Sequence, residues 1–409
     1  MMDSTKIMKG AWKAVGLLWV VALLNYLDRL MMTTMHDPIV QSIPMNDKQF
    51  GLLTSVFLWV YGTLSPFGGL LADRFNRRSV ILTSLFVWSA VTWATSCAQT
   101  FPQLLAARAL MGISEACYIP AALALIADYH RGPTRSLATG LHMSGIYAGA
   151  ALGGIGGYIA QRQGWRSSFF IFGIIGVVYA IGLMFSLRDV PKAESPVESV
   201  SEKLEIPAML KSLFGTGGFW LLLAANALIG TANWGVNGWL PKYLQDHFKL
   251  NLGQAGFSAT AYIQVASFVA VLLGGIWADR WSRNNPRARA LVPAIGYCVA
   301  GPCLLLAAMT DLFPAAILGL IVFGIGRGFF DTNHMPILRQ LVPERYSATA
   351  YGFQNFTSCA AGGLMVLAGG AMKDAGISLG KVFQFSANGL FIVGLMLAVL
   401  KLRPIPAAK

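Results

Sequence analysis

The sequence predicts an all-α membrane protein of twelve transmembrane helices arranged as two six-helix pseudo-repeats. Of its 409 residues, 55% are hydrophobic and only 12% are charged, and the mean hydropathy of +0.58 lies well outside the range of soluble domains. Apolar stretches of about 20 residues, enough to cross roughly 30 Å of hydrocarbon as a helix, recur along nearly the whole chain. Short motifs also return at a near-constant offset in the second half.

Taken in order, the expected spans are 11–35, 48–71, 79–98, 102–128, 136–160, 167–187, 217–241, 253–278, 290–309, 313–338, 347–372 and 380–400. The longest polar interruption, "RDVPKAESPVESVSEKLEIPAMLKSL" at 188–213, is rich in Pro, Ser, Glu and Lys. It divides the chain into an N-terminal half (1–187), a cytoplasmic linker (188–213) and a C-terminal half (214–409). The repeat is visible in "GGLLADRFNRR" at 68–78 and "GGIWADRWSR" at 274–283, 206 residues apart. "MGISE" at 111–115 aligns with "FGIGR" at 323–327, and "RSLAT" at 135–139 with "RYSAT" at 345–349. Halves repeated in parallel topology are the architecture of one class of secondary transporter, with its binding site near the bilayer midplane.

A net charge of +13 raises the question of an acidic partner, and the distribution of Lys and Arg answers it. With both termini cytoplasmic, 21 of the 31 fall on the cytoplasmic side, 7 on the opposite side, and three, Arg29, Arg108 and Arg327, inside spans. The positive-inside rule therefore accounts for the basicity without a nucleic-acid partner. The first apolar run continues to full spanning length, so insertion relies on that helix and not on a cleavable signal. The five cysteines lie in or at spans with no CxxC or metal-ligand spacing and are read as small packing residues. Compact loops, and an Asn-x-Ser/Thr site only within the eleventh span, place the chain in a bacterial inner membrane, as a monomer surrounded by lipid.

The first span contains the adjacent charges Asp28 and Arg29. Each costs roughly 2.5–3.5 kcal/mol at a helix centre, and each Leu, Ile or Val returns about 0.3–0.6. The nine Leu and Val residues of that span just fail to offset the pair. Neighbouring helix positions point about 100° apart, so partners must come from other helices. The fourth span offers Arg108 and Glu115, seven apart on one face, with Gly112 leaving space between them; the tenth offers Arg327 and Asp331, with His334 on the next turn. Three acids against three bases make a balanced interior set. Such a set is either a static group of salt bridges or a device in which a carboxylate loads and releases a proton as its surroundings change.

Amides and aromatic residues accompany these charges in the spans: Asn25, Tyr26, Tyr118, His142, Asn233, Trp234, Asn237, Gln264, Gln354 and Asn355. Each alone suits a helix-to-helix hydrogen bond; together they suit a small polar anion. In the repeated loop, Asp73 with Arg74 and Arg77, and Asp279 with Arg280, form either a solvated turn or a latch that pairs when neighbouring helix ends are close. Gly145, Gly149, Gly153 and Gly157 make a ridge of small residues for close helix approach, with Gly362, Val366 and Gly370 as a weaker counterpart.

"GGLLADRFNRR" resembles the loop between the second and third helices of the major facilitator superfamily, and "RALMGISEA" resembles that family's fourth-helix signature. "NYLDR", "DRFNRR" and "GISEACYIPAA" resemble its spinster-like and anion:cation symporter branches, although Asn76 stands where the general loop has Gly. The resemblance implies a major facilitator fold, in which the fifth helix packs against the eighth, and alternating access with the proton as coupling ion and no organic cofactor. It implies proton coupling by Asp28, Glu115 and Arg108, and a small organic anion such as a sugar acid bound by Arg29 or Arg108. The spinster branch keeps lysolipid or sphingoid-lipid transport open, and a membrane receptor that moves no solute is a third reading. HExxH, GxSxG and P-loop motifs are absent, and His36, His130 and His247 fall in loops without a ligand set, so an enzyme is not expected.

Overall fold

The computed structural model describes residues 10–130, 134–188, 206–343 and 346–402, with backbone alone at 68–73 and 206. Helices cover all twelve expected spans. Among the described residues, nine helical segments are long and apolar enough to cross a membrane. The expected spans at 79–98, 136–160 and 347–372 are helical but outside that set. The last two are rich in Gly, Ala, Ser and Thr, which favour close packing over apolarity.

Local sequence explains where the helices break. α1 (Ala11–Met31) gives way to a 3-10 turn (Met32–Met35) and a short α2 (His36–Ser42). The Thr33 and Thr34 hydroxyls donate to the carbonyls of Leu30 and Met31, at 2.8 and 2.7 Å, and tighten that turn. α3 (Asp47–Arg74) is followed by α4 (Arg77–Thr95), which Asn76 caps by accepting the Ser79 N–H at 3.0 Å. That capping bond is a physical reason for Asn at this loop position. α5 (Phe101–Glu115) stops at Ala116–Cys117 before α6 (Tyr118–Tyr129). Pro120 supplies the cause, because its ring would strike the carbonyl four residues back, at Ala116. α7 (Arg135–Leu152) and α8 (Ile155–Gln163) are separated at Gly153–Gly154, and α9 (Trp165–Ser186) follows.

The segment expected as a linker at 188–213 ends in a helix, α10 (Ile206–Phe214), which buries Met209 and Leu213. α11 (Gly217–Phe248), α12 (Leu252–Ser282), α13 (Ala288–Ala307), α14 (Phe313–Leu341), α15 (Ser347–Asp374) and α16 (Gly380–Val399) complete the chain.

Two compact units result: unit 1 is Met1–Glu194 with Asn237–Ala261, and unit 2 is Ser195–Val236 with Tyr262–Lys409. The same pairings hold in each. In unit 1, α1 packs on α7, α3 on α5 and α4 on α9. In unit 2, α11 meets α15 where Gly362 sits against Gly230 and Trp234, the Ser267 hydroxyl of α12 reaches the Gly324 carbonyl of α14 at 2.9 Å, and α13 packs on α16. Phe170, Ile174, Val178, Ile181 and Phe185 leave an apolar exposed stripe on α9, as lipid contact requires.

The glycine ridge has a different main partner from the one its family resemblance implies. A Cβ at Gly145 would lie 2.6 Å from the Trp19 carbonyl oxygen, one at Gly149 would overlap the Leu23 carbonyl, and one at Gly153 would lie 2.9 Å from the Leu30 Cβ. The ridge is therefore the seat of α1. Gly157 and, outside the ridge, Gly154 meet the first turns of α12, at Leu252 and Phe257, within unit 1.

Candidate functional site

In unit 1, α1, α3, α4 and α5 enclose the charges that the sequence places in the membrane. Arg29 donates to Glu115 Oε2 from Nη2 at 2.6 Å and from Nε at 3.2 Å. Its Nη2 also reaches Asn25 Oδ1 at 3.3 Å. The guanidinium lies 4.5 Å from the ring centroids of Tyr26 and Tyr61 and 4.9 Å from that of Phe57. Arg29 is 2% exposed and Glu115 fully buried, so this pair has no solvent screening.

Asp28 and Arg108 are placed differently. Asp28, 1% exposed, accepts from the Thr92 hydroxyl at 3.3 Å, and its Oδ1 has no hydrogen-bond partner among the described residues. Arg108, 2% exposed, donates to the Leu53 carbonyl at 3.3 Å and to Met111 Sδ at 3.1 Å, lies 4.6 Å from the Phe57 centroid, and has no partner for Nη2 among the described residues. The two are near enough to feel each other's charge but make no salt bridge. The four charges of the sequence thus resolve into one closed pair, Arg29 with Glu115, and one separated acid and base.

Helical spacing puts Arg108 and Glu115 on one face, yet they take different partners. Gly112 does not hold open a space between them. A Cβ there would meet the Phe57 carbonyl at 2.9 Å, so Gly112 is where α5 approaches α3. Tyr118 and His142 lie in the packed interior, with rings 5.9 Å apart, and the Tyr118 hydroxyl donates to the Leu18 carbonyl at 2.9 Å.

Unit 2 holds a second cluster. Arg327 approaches Asp331 at 3.5 Å and Gln264 at 3.4 Å. His334 is hydrogen-bonded to Gln354 Oε1, which also accepts from Asn226 Nδ2 at 3.1 Å. Asn226 was invisible to sequence reasoning, being one more Asn in a span. Asn233 has a buried Oδ1 without a partner among the described residues, Trp234 covers Gly362, Asn355 accepts from the Cys359 thiol at 3.9 Å, and Asn237 falls in unit 1.

Residues 18–366 match the sequence profile of the Major Facilitator Superfamily. The chain belongs to this superfamily. Among relatives, it is 26% identical over 366 residues to probable anion transporter 4, chloroplastic, of Arabidopsis thaliana, covering 83% of this chain and 68% of that one. It is 26% identical over 370 residues to the probable L-galactonate transporter of Escherichia coli strain K12, covering 87% and 81%. Its fold resembles a bacterial homologue of the human lysosomal transporter Spinster, in an inward-facing and unoccupied conformation, with a TM-score of 0.75 at 20% identity and 95% of each chain covered. The protein is a multi-pass membrane transporter of the major facilitator type.

The superfamily's loop residues find partners that the motif spacing does not foretell. Arg77 pairs with Asp128 of α6 and donates to the Ala124 carbonyl at 3.3 Å. Asp279 pairs at 2.8 Å with Arg289, in the first turn of α13, and not with an Arg of its own motif. Arg74 ends α3, Arg280 lies in the last turn of α12, and the Asp73 side chain lies outside the described residues.

A further charged cluster in unit 1 comes from residues that the sequence reading left in loops. His36 sits in α2 with Nδ1 2.7 Å from Asp37 and Nε2 2.7 Å from Asp47. Lys242 of α11 lies 2.8 Å from Asp37 and 2.7 Å from Asp246, and Trp239 is 5.8 Å from the His36 ring. His36 and Asp37 are adjacent in sequence, but Lys242 is 205 residues away, which hides the group. Lys242 is nearly buried and Asp37 partly exposed, so the pair ranks between surface and interior pairs. Lys242→Met is expected to cost about 1–2 kcal/mol of stability, read as a lower unfolding temperature in detergent. An unchanged midpoint would show that the cluster does not hold α11 on α2.

Proposed function

We propose that the chain is a proton-coupled secondary active transporter of a small organic anion such as a sugar acid, a symporter working by alternating access in a bacterial inner membrane. The observation that carries this reading is the separated pair: among the described residues, a buried acid, Asp28, without a bonded cation, and a buried base, Arg108, without a bonded carboxylate. With all four charges ionised the set in unit 1 is neutral. A proton on Asp28 leaves it one negative charge short, and a monoanionic substrate restores the balance. Proton and anion then load together, because an uncompensated charge in the interior costs several kcal/mol. Glu115 provides a second step: when the proton passes from Asp28 to Glu115, the pair with Arg29 opens and Arg29 becomes free for a carboxylate, still at one proton per anion. The Escherichia coli and Arabidopsis relatives, a probable L-galactonate transporter and a probable anion transporter, support an anionic cargo.

The test is uptake into proteoliposomes under a pH gradient. At one proton per anion, a gradient of one pH unit sustains about tenfold accumulation. Asp28→Asn and Glu115→Gln should each abolish accumulation, while Asp28→Asn keeps anion exchange. Concentrative uptake at the wild-type level in both variants would remove the coupling assignment. Lysolipids are the control cargo, and their transport in place of sugar acids would overturn the substrate class.

A further inference from the structure

In unit 2 a chain of hydrogen bonds that begins at a backbone carbonyl decides which face a histidine presents. The Leu222 carbonyl can only accept, so the Asn226 amide nitrogen must face it, and it does at 3.0 Å. The second proton of that nitrogen reaches Gln354 Oε1 at 3.1 Å, which turns the Gln354 carboxamide oxygen toward Asn226. That oxygen also contacts His334 Nε2, and an acceptor there requires Nε2 to carry the proton. His334 Nδ1 is left as a lone pair without a hydrogen-bond partner among the described residues.

Asn226 and Gln354 are buried, whereas His334 is half-buried. Its ring is held by Phe330, 4.8 Å away at 27°, and Tyr351, 5.4 Å away at 44°. Asp331, which approaches Arg327 at 3.5 Å, is close enough to act on the imidazole electrostatically. An unprotonated Nδ1 accepts from a hydroxyl and repels a carboxylate oxygen.

We propose that Asn226 is a positioning residue that holds His334 as a hydrogen-bond acceptor, that His334 binds a hydroxyl of the transported anion through Nδ1, and that the cargo is therefore a hydroxylated acid and not a bare carboxylate. The inference rests on the anion-transporter reading above. It assigns a role to a residue that touches no substrate and adds a hydroxyl requirement to the anion-transporter reading.

Two measurements on the purified full-length chain test it. In 15N spectra of histidine-labelled protein, with the His334 signals assigned by their loss in His334→Gln, the wild type should show protonated Nε2 and unprotonated Nδ1. In Asn226→Asp the side chain can no longer donate, Gln354 turns over, and the proton should move to Nδ1. In parallel, calorimetric binding should favour L-galactonate over hexanoate, which has the same chain length without hydroxyls, by about tenfold or more, and Asn226→Asp should erase about tenfold of that preference. If Asn226→Asp does not fold, Asn226→Leu serves for both readouts, with a mixture of tautomers expected. A wild-type His334 protonated on Nδ1, a variant with unchanged tautomer, or a tautomer change without loss of preference each overturns the proposal. If neither anion binds or is taken up, the transporter reading fails instead, and the tautomer result still decides the positioning role.

Discussion

Glu115→Ala is expected to destabilise the folded protein by about 3–5 kcal/mol, because it leaves the Arg29 guanidinium buried with no carboxylate. Arg29→Ala should cost a similar amount by stranding Glu115. The three aromatic rings around the guanidinium soften the loss without supplying a counter-charge. The double variant Arg29→Met with Glu115→Leu removes both charges and fills most of the volume, so it should recover most of the stability. Thermal unfolding in detergent measures all three, and a double variant as unstable as the sum of the single ones would show that the pair is not an isolated interaction. Transport divides the possibilities further. A static strut would let the double variant carry substrate again, whereas the coupling role requires it to fold and remain inactive.

How much of this was legible in the sequence follows from which forces are local. Hydrocarbon imposes its requirement on each span separately, so most helix positions could be read from apolarity. Pro120 and the Gly153–Gly154 pair mark helix breaks by their own chemistry. The charges in "NYLDR" were conspicuous because their cost in a membrane is large. Partner choice was not legible, since it depends on how α1, α3 and α5 pack. Arg108 and Glu115 share a face by periodicity, but Arg108 turns to the Leu53 carbonyl and Met111 while Glu115 takes Arg29. Gly112 looked like room for side chains and is a contact point for α3. Asn226 and the His36 cluster became visible only through residues 128 and 205 positions away.

Gly149→Ala is expected to be among the most disruptive single-methyl changes in the chain, costing about 2–3 kcal/mol by overpacking. The added Cβ would fall on the carbonyl oxygen, carbonyl carbon and Cα of Leu23, all backbone atoms. Trimming Leu23 to Ala would therefore give no relief, and α1 would have to move. Gly218→Ala offers the contrast: its nearest neighbour is the end of the Leu341 side chain, which can rotate away. Gly182→Ala has open space and should be neutral or stabilising by up to ~1 kcal/mol through helix propensity. Unfolding midpoints of the three variants test the ranking, and equal midpoints for Gly149→Ala and Gly182→Ala would show that α1 is not seated on α7. The consequence reaches the site, because α1 carries Asn25, Asp28 and Arg29. A shift of α1 large enough to admit one methyl group would lengthen the 2.6 Å contact between Arg29 and Glu115. Uptake should therefore fall in Gly149→Ala even below its unfolding temperature, and a folded variant with full uptake would show that the charged set tolerates displacement of the helix that supplies half of it.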